Sequence, residues 1–121
     1  MLNRTHRFHG LNSLNYVYRQ GQSVRGSQVA LRYSLNRRRQ TFRAAVVVSK
    51  KVSKSAVARN RLRRRIYGAL DGYAAQITQP YDLVFTVFSA QLAEIGAPDL
   101  ERLIGEQLSK AAVIDGATNA Q

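Results

Sequence analysis

Two apolar runs decide most of what this chain can fold into: "TFRAAVVVS" (41–49) and "YDLVFTVF" (81–88). Each reads as a strand buried in a sheet, the first because it ends in a continuous β-branched run, the second because Pro80 introduces an almost unbroken apolar stretch. Between them a helical apolar periodicity runs from about Ala56 to Tyr73, with Ser53 or Ser55 placed to cap its start. Strand, long helix and strand imply a crossover and a parallel pair. Upstream, Val29, Leu31, Tyr33 and Leu35 alternate in "QVALRYSL" (28–35), and the linker "NRRRQ" is short enough for a hairpin between that strand and the next. Leu11, Leu14, Val17 and Tyr18 recur at helical spacing before Gly21, predicting a first helix. Asp99, after Pro98, can cap a last one with Leu100, Leu103, Ile104, Leu108 and Ala111 on its apolar face. A chain of 121 residues is long enough for one core and too short for two.

The charge is divided along the chain. Residues 1 to 70 hold seventeen of the nineteen Lys and Arg and no acid, whereas residues 71 to 121 hold Arg102, Lys110 and all seven Asp and Glu. The net +12 is therefore +17 on the first stretch and −5 on the second. Such a balance points to a polyanionic partner, and the predominance of Arg, a planar and permanently charged donor, points to phosphate. The absence of cysteine excludes disulfides and thiolate metal sites and favours a cytoplasmic address. No apolar run approaches the roughly 20 residues needed to span a bilayer, so no membrane partner is expected.

"KKVSKSAVARNRLRRRIYGAL" (50–70) concentrates eight cations between Lys50 and Arg65. On a helical wheel Leu62, Ile66, Ala69, Leu70 and Tyr73 share one arc, while Asn60, Arg61, Arg63, Arg64 and Tyr67 point away from it. Arg65 lies at the margin, where its stem can run over the core, and Arg59 sits near the apolar arc in the first turn, where it can reach past the helix end. An ordinary solvated face carries acids at i±4; here each Arg repels its neighbours by tenths of a kcal/mol without relief. Lys50, Lys51, Lys54 and Arg59 also surround a helix start, which already carries partial positive charge and unsatisfied N–H groups. That arrangement is favourable only with an anion docked on it.

At "VSKKVSKSAVARNRLRRRIY" the chain resembles the protein subunit of bacterial ribonuclease P, whose signature is a Ser-Lys-Lys turn followed by Arg-Asn-Arg opening a basic helix. "RQGQSVRGSQVALRY", "RAAVVVSKK", "YDLVFTVF" and "LERLIGEQLSK" are similar to further family segments, so the resemblance covers roughly residues 4 to 112. It implies an α+β fold, an α/β sandwich of ribosomal-protein-like type in the order αβββαβα, with a left-handed crossover around the basic helix where general sterics favour a right-handed one. Residues 1–114 would form one RNA-binding domain and residues 115–121 a disordered tail. The resemblance further implies that a large RNA, using Mg²⁺, is the catalytic component that removes the 5′ leader from precursor tRNA, and that the polypeptide binds that RNA and the leader. By position, Arg59, Asn60, Arg61, Arg63 and Arg64 are expected on the catalytic RNA and Lys50 and Lys51 match the lysine turn; with Lys54 from the cluster at the helix start, these are the eight expected RNA-binding residues. A cleft between the first helix and the sheet would take the leader at Leu14 and Tyr18. Leu14 departs from the aromatic residue of the family, whereas Tyr18 keeps a ring on which a base can stack. Tyr67 stands where many relatives carry another basic residue. Leu14 and Tyr18, four residues apart, equally fit an ordinary core stripe, and spacing does not separate the two readings.

No catalytic residue and no metal site are expected in the polypeptide. His6 and His9 are spaced i, i+3, but no carboxylate lies in the first seventy residues to orient an imidazole or complete a metal site. The competing class is a basic ribosomal or other structural RNA-binding protein; DNA is disfavoured because no second short helix precedes the basic one at turn spacing. Arg37, Arg38 and Arg39 fit either a loop tip made soluble by charge or a further RNA contact.

Overall fold

The structure, a computed structural model, describes residues 11–114, with side chains from Tyr16 onward. Its elements follow the order α1 (Leu11–Gln20), β1 (Gln22–Val24), β2 (Val29–Leu35), β3 (Arg43–Val48), α2 (Ala56–Asp71), β4 (Tyr81–Val87) and α3 (Ala97–Lys110), with short 3-10 turns at Ala74–Gln76 and Ala90–Ala93. The expected order αβββαβα is therefore observed. His6, His9 and the tail 115–121 lie outside the described residues.

The hairpin expected between β2 and β3 does not form, because β4 lies between them in a sheet of order β1-β2-β4-β3. β4 runs antiparallel to β2, from Val29↔Val87 to Leu35↔Tyr81, and parallel to β3, from Arg43↔Asp82 to Val48↔Val87. The reason is burial: Leu83, Val84 and Phe85 are fully inaccessible, and a strand covered on both faces is best satisfied with a hydrogen-bonding neighbour on each side. The parallel pairing across α2 follows the expectation from the strand–helix–strand pattern.

Alternation along the strands divides the sheet into two unequal faces. One carries Val29, Leu31, Ala44, Val46, Leu83 and Phe85 and packs on α2 and α3 through Leu62, Ile66, Leu70, Ile104 and Leu108. Among the described residues the other face meets α1, whose fully buried Val17 sits on Ala45 and Val84 with Tyr18 and Val47 beside it. Burying a valine of this kind contributes about 1.5–3 kcal/mol toward holding α1 on the sheet. Gly21 ends α1, and a Cβ there would lie 2.4 Å from the Val17 carbonyl oxygen and 2.8 Å from that of Tyr33. Only glycine allows the chain to pass so closely from the helix into β1.

The start of α2 is set by Ser55, whose Oγ accepts the Ala58 N–H at 3.2 Å. Leu62, Ile66, Ala69 and Leu70 are buried, as their shared arc predicts. The helix stops at Asp71 rather than Tyr73, and the Tyr73 hydroxyl, beyond its end, donates to the Glu101 carbonyl of α3 at 2.9 Å. Tyr67 departs from the wheel: it is half-buried against the core, and its hydroxyl accepts the Val46 N–H of the edge strand β3 at 3.3 Å. An edge strand has backbone donors to satisfy, and that requirement widens the packed face of α2 beyond its apolar arc. α3 begins earlier than Asp99 would place it. Gly96 is the N-cap, Pro98 lies in the first turn where its missing N–H costs nothing, and Asp99 follows in that turn as a favourable charge for the helix start.

Arg65 serves the packing in the way its marginal position predicts. Its two terminal nitrogens donate to the carbonyls of Leu92 and Ile95, joining α2 to the segment that leads into α3.

Candidate nucleic-acid interface

The basic surface is built from two adjoining pieces. The turn after β3 folds on itself through the Val52 N–H to Ser49 carbonyl bond at 3.1 Å, leaving Lys50 and Lys51 exposed. Ser53 Oγ accepts the Ser55 N–H at 3.3 Å and Ser55 then caps α2, so turn and helix start form one continuous hydrogen-bonded unit. Arg59 reaches back past the helix end, as its wheel position predicts, and donates from Nη1 to the Ser53 carbonyl at 2.9 Å. It is half-buried and braces the lysine turn from behind.

Beyond it, Lys54, Asn60, Arg61 and Arg64 are exposed, and Arg63 lies half-exposed with its guanidinium donating to Asn60 Oδ1 at 2.6 Å. Of the eight expected RNA-facing residues, the structure brings six together at the surface, lets Arg63 lean on Asn60, and turns Arg59 toward the turn. Among the described residues the ion pairs are Arg43–Asp82 and Arg102–Asp99, and neither uses a cation of this surface. Among the described residues these cations therefore keep the unrelieved charge read from the sequence.

The second candidate surface is the sheet face that α1 covers only in part. Tyr18 is half-buried, with its hydroxyl 3.0 Å from Thr86 Oγ1 on β4. The Arg32 guanidinium of β2 stands over its ring, 5.6 Å from the centroid, and is fastened by a hydrogen bond to the Tyr18 carbonyl. The ring thus has one edge fixed to the sheet and a cation on one face. Leu14 belongs to α1, but its side chain lies outside the described residues.

Three contributors to this face were missed by reading along the chain: Arg32, Thr86 and Phe88. Strand alternation was the available signal, since Arg32 opposes Leu31 and Tyr33, and Thr86 continues the row from Val84. Phe88 extends that row one step past β4, where its N–H still bonds the Gln28 carbonyl at 2.7 Å, and its side chain is 54% exposed. The register Val48↔Val87 sets Phe88 at the same end of the sheet as the Ser49–Lys51 turn. An exposed aromatic ring and a half-buried tyrosine thus lie along one sheet face with the lysine turn at its end, a combination suited to a single strand by stacking and charge, while the cations of α2 lie across the sheet.

Among the described residues no group of three His, Asp or Glu side chains is placed to hold a metal ion, and no helix is long and apolar enough to cross a membrane. The exposed cations of this surface suit an anionic ligand.

Comparison with known proteins identifies the family. The family model described as Ribonuclease P matches residues 2–112. The ribonuclease P protein component of Roseiflexus castenholzii is 34% identical over 118 residues, covering 98% of this chain and 95% of the relative. That of Synechocystis sp. is 34% identical over 102 residues, covering 82% and 79%. Among solved structures, the RNase P protein of Staphylococcus aureus superposes with a TM-score of 0.79 at 22% identity, over 90% of this chain and 97% of that one. The RNase P protein from Thermotoga maritima gives 0.72 at 16% identity, over 84% and 94%.

Proposed function

The chain belongs to the ribonuclease P protein family, and from that premise we propose that it binds the catalytic RNA of ribonuclease P through the lysine turn and the outer face of α2, and the 5′ leader of precursor tRNA across the open sheet face. The observation that carries this reading is the row Lys50, Lys51, Lys54, Arg61 and Arg64, all exposed and without an ion pair among the described residues. Five such cations brought against a structured RNA release counterions and relieve their own mutual repulsion, so binding gains from charge that weakens the free protein.

The chemistry of cleavage belongs, on this reading, to the RNA and its Mg²⁺. The polypeptide contributes affinity and position: the α2 surface fixes the protein on its RNA, and Tyr18, with Arg32 over it, receives an unstacked leader base. A cytoplasmic address follows from the same role. DNA and membranes are not among the proposed partners.

Reconstitution tests the assignment. Precursor tRNA cleavage by the catalytic RNA is measured at low Mg²⁺ with and without this chain; the expected result is rescue by the protein and no 5′ cleavage by the protein alone. Failure to rescue, or turnover without RNA, overturns the reading. Within the same assay Tyr18→Ala is expected to weaken leader-bearing substrate relative to mature tRNA by about 1–3 kcal/mol. Equal loss for both would make Tyr18 a packing residue only.

A further inference from the structure

At the opposite end of the open sheet face from Phe88 lies a cavity of about 610 Å³, lined by Tyr16, Leu35, Asn36, Arg37, Arg38, Arg43 and Asp82. Its volume falls in the range of small-molecule sites. Its floor is rigid. The buried Asp82 carboxylate accepts from Arg43 Nε at 2.7 Å, Arg43 Nη2 at 3.1 Å and Asn36 Nδ2 at 3.1 Å. Asn36 is itself held by its N–H on the Pro80 carbonyl at 2.9 Å, while its Oδ1 accepts the Arg38 N–H at 3.2 Å and its carbonyl the Arg39 N–H at 3.1 Å.

Arg43 therefore neutralises the acid among the described lining residues, Asn36 supplies its third hydrogen bond, and the loop that carries Arg37 and Arg38 is tied down through Asn36. The two arginine side chains are exposed and make no ion pair among the described residues. Facing them, Tyr16 leaves 58% of its surface exposed. The hydroxyls of Tyr18, Tyr33, Tyr67 and Tyr73 are all engaged, whereas that of Tyr16 has no hydrogen-bond partner among the described residues. An exposed ring beside two unpaired guanidinium groups above a neutralised floor matches one ligand chemistry: a nucleobase joined to a phosphate.

Resting on the leader reading above, we propose that this cavity is a second leader subsite, taking one unstacked nucleotide with its base on Tyr16 and its phosphate between Arg37 and Arg38. Asp82 and Thr86 point to the same face of β4 four residues apart, so the cavity and the Tyr18 position are separated by about 13 Å at the usual strand rise. A single strand crossing the face reaches both. The pocket is engaged only by leaders long enough to extend past Tyr18.

The experiment uses the reconstituted ribonucleoprotein and precursor tRNAs whose leaders lengthen one nucleotide at a time. For the unsubstituted protein, affinity is expected to rise in two steps. In Arg37→Ala/Arg38→Ala and in Tyr16→Ala the later step is lost, lowering the ratio of long-leader to short-leader affinity by roughly tenfold, the size of a lost stacking or phosphate contact. Tyr16→Phe restores the step, because the ring rather than the hydroxyl is used. An unchanged ratio in either alanine variant, or equal loss for all leader lengths, overturns the subsite. Tyr18→Ala separates the two levels of the argument. If it removes the early step while the cavity variants change nothing, only the subsite fails; if it too leaves the ratio unchanged, the leader reading beneath it fails.

Discussion

Replacing Arg61 with alanine should change the salt dependence of RNA binding more informatively than it changes affinity at any one condition. Arg61 is exposed on α2, lies outside the packed arc and has no acidic partner among the described residues, so its removal disturbs little of the fold. With Lys50, Lys51, Lys54, Arg61 and Arg64 each neutralising one phosphate, the slope of log affinity against log salt is about −4.5 for duplex-like contacts and about −3.5 for single-stranded ones. Arg61→Ala should flatten it by about 0.7–0.9, which amounts to roughly a five- to eightfold loss at about 0.1 M salt, shrinking toward nothing near 1 M. Arg64→Ala should behave alike, and the double variant should add. Equilibrium titration of the protein with catalytic RNA, repeated across monovalent salt at fixed Mg²⁺, reads the slope directly. A loss of the same factor at every salt concentration would mean that Arg61 makes no phosphate contact, and an unchanged slope for both variants would remove this face of α2 from the interface. Arg59→Ala provides the contrast: because Arg59 braces the Ser53 carbonyl, part of its effect should appear as a salt-independent loss from a loosened lysine turn.

Three further outcomes follow from the same geometry. Tyr18→Phe removes the hydroxyl contact to Thr86 and keeps the ring, so thermal or denaturant unfolding should show a loss of about 0.5–1.5 kcal/mol while leader preference persists. Asp82→Ala leaves the guanidinium of Arg43, whose side chain is only 17% exposed, without its carboxylate, and should cost about 3 kcal/mol in the same unfolding measurement. Gly105→Ala would place a Cβ 2.2 Å from the Tyr73 hydroxyl oxygen, displacing the ring and its bond to Glu101, with an expected loss of about 1–3 kcal/mol; a smaller partner at position 73, as in Tyr73→Leu, should recover part of it.

Where local chemistry decides, the chain was readable. The limits of α1, the Ser55 cap and the buried arc of α2 all follow from spacing and side-chain type, and Arg59 and Arg65 take the inward roles that their wheel angles indicate. Failures came where the deciding neighbour lies far along the chain. Nothing between residues 28 and 49 announces that β4 will separate β2 from β3; that outcome depends on how thoroughly β4 is covered once α1, α2 and α3 are in place. Tyr67 was misplaced for a related reason, since the backbone donor it satisfies belongs to a strand about twenty residues away. For α3, Asp99 carries the side chain of a good cap but Gly96 fills that position, and Pro98 is tolerated in the first turn because its missing N–H has no partner there to lose. The basic surface was legible because like charge without acids is a pattern in one dimension. The sheet face was only partly so: Tyr18 lies on a helix with an obvious period, but Arg32, Thr86 and Phe88 become neighbours of it only through the pairing of β2 with β4.

The bond from Val46 to Tyr67 bears on how the free protein behaves before it meets RNA. β3 is an outer strand rich in valine, the kind of edge that recruits strands of other molecules and starts aggregation. With one of its outward donors already taken by a side chain from α2, the strand offers an interrupted template to an incoming chain. The helix whose outer face carries the charge thus also shields the sheet on its inner side, so repulsion between molecules and a blocked edge act together to keep a strongly basic, partly assembled protein from associating with itself.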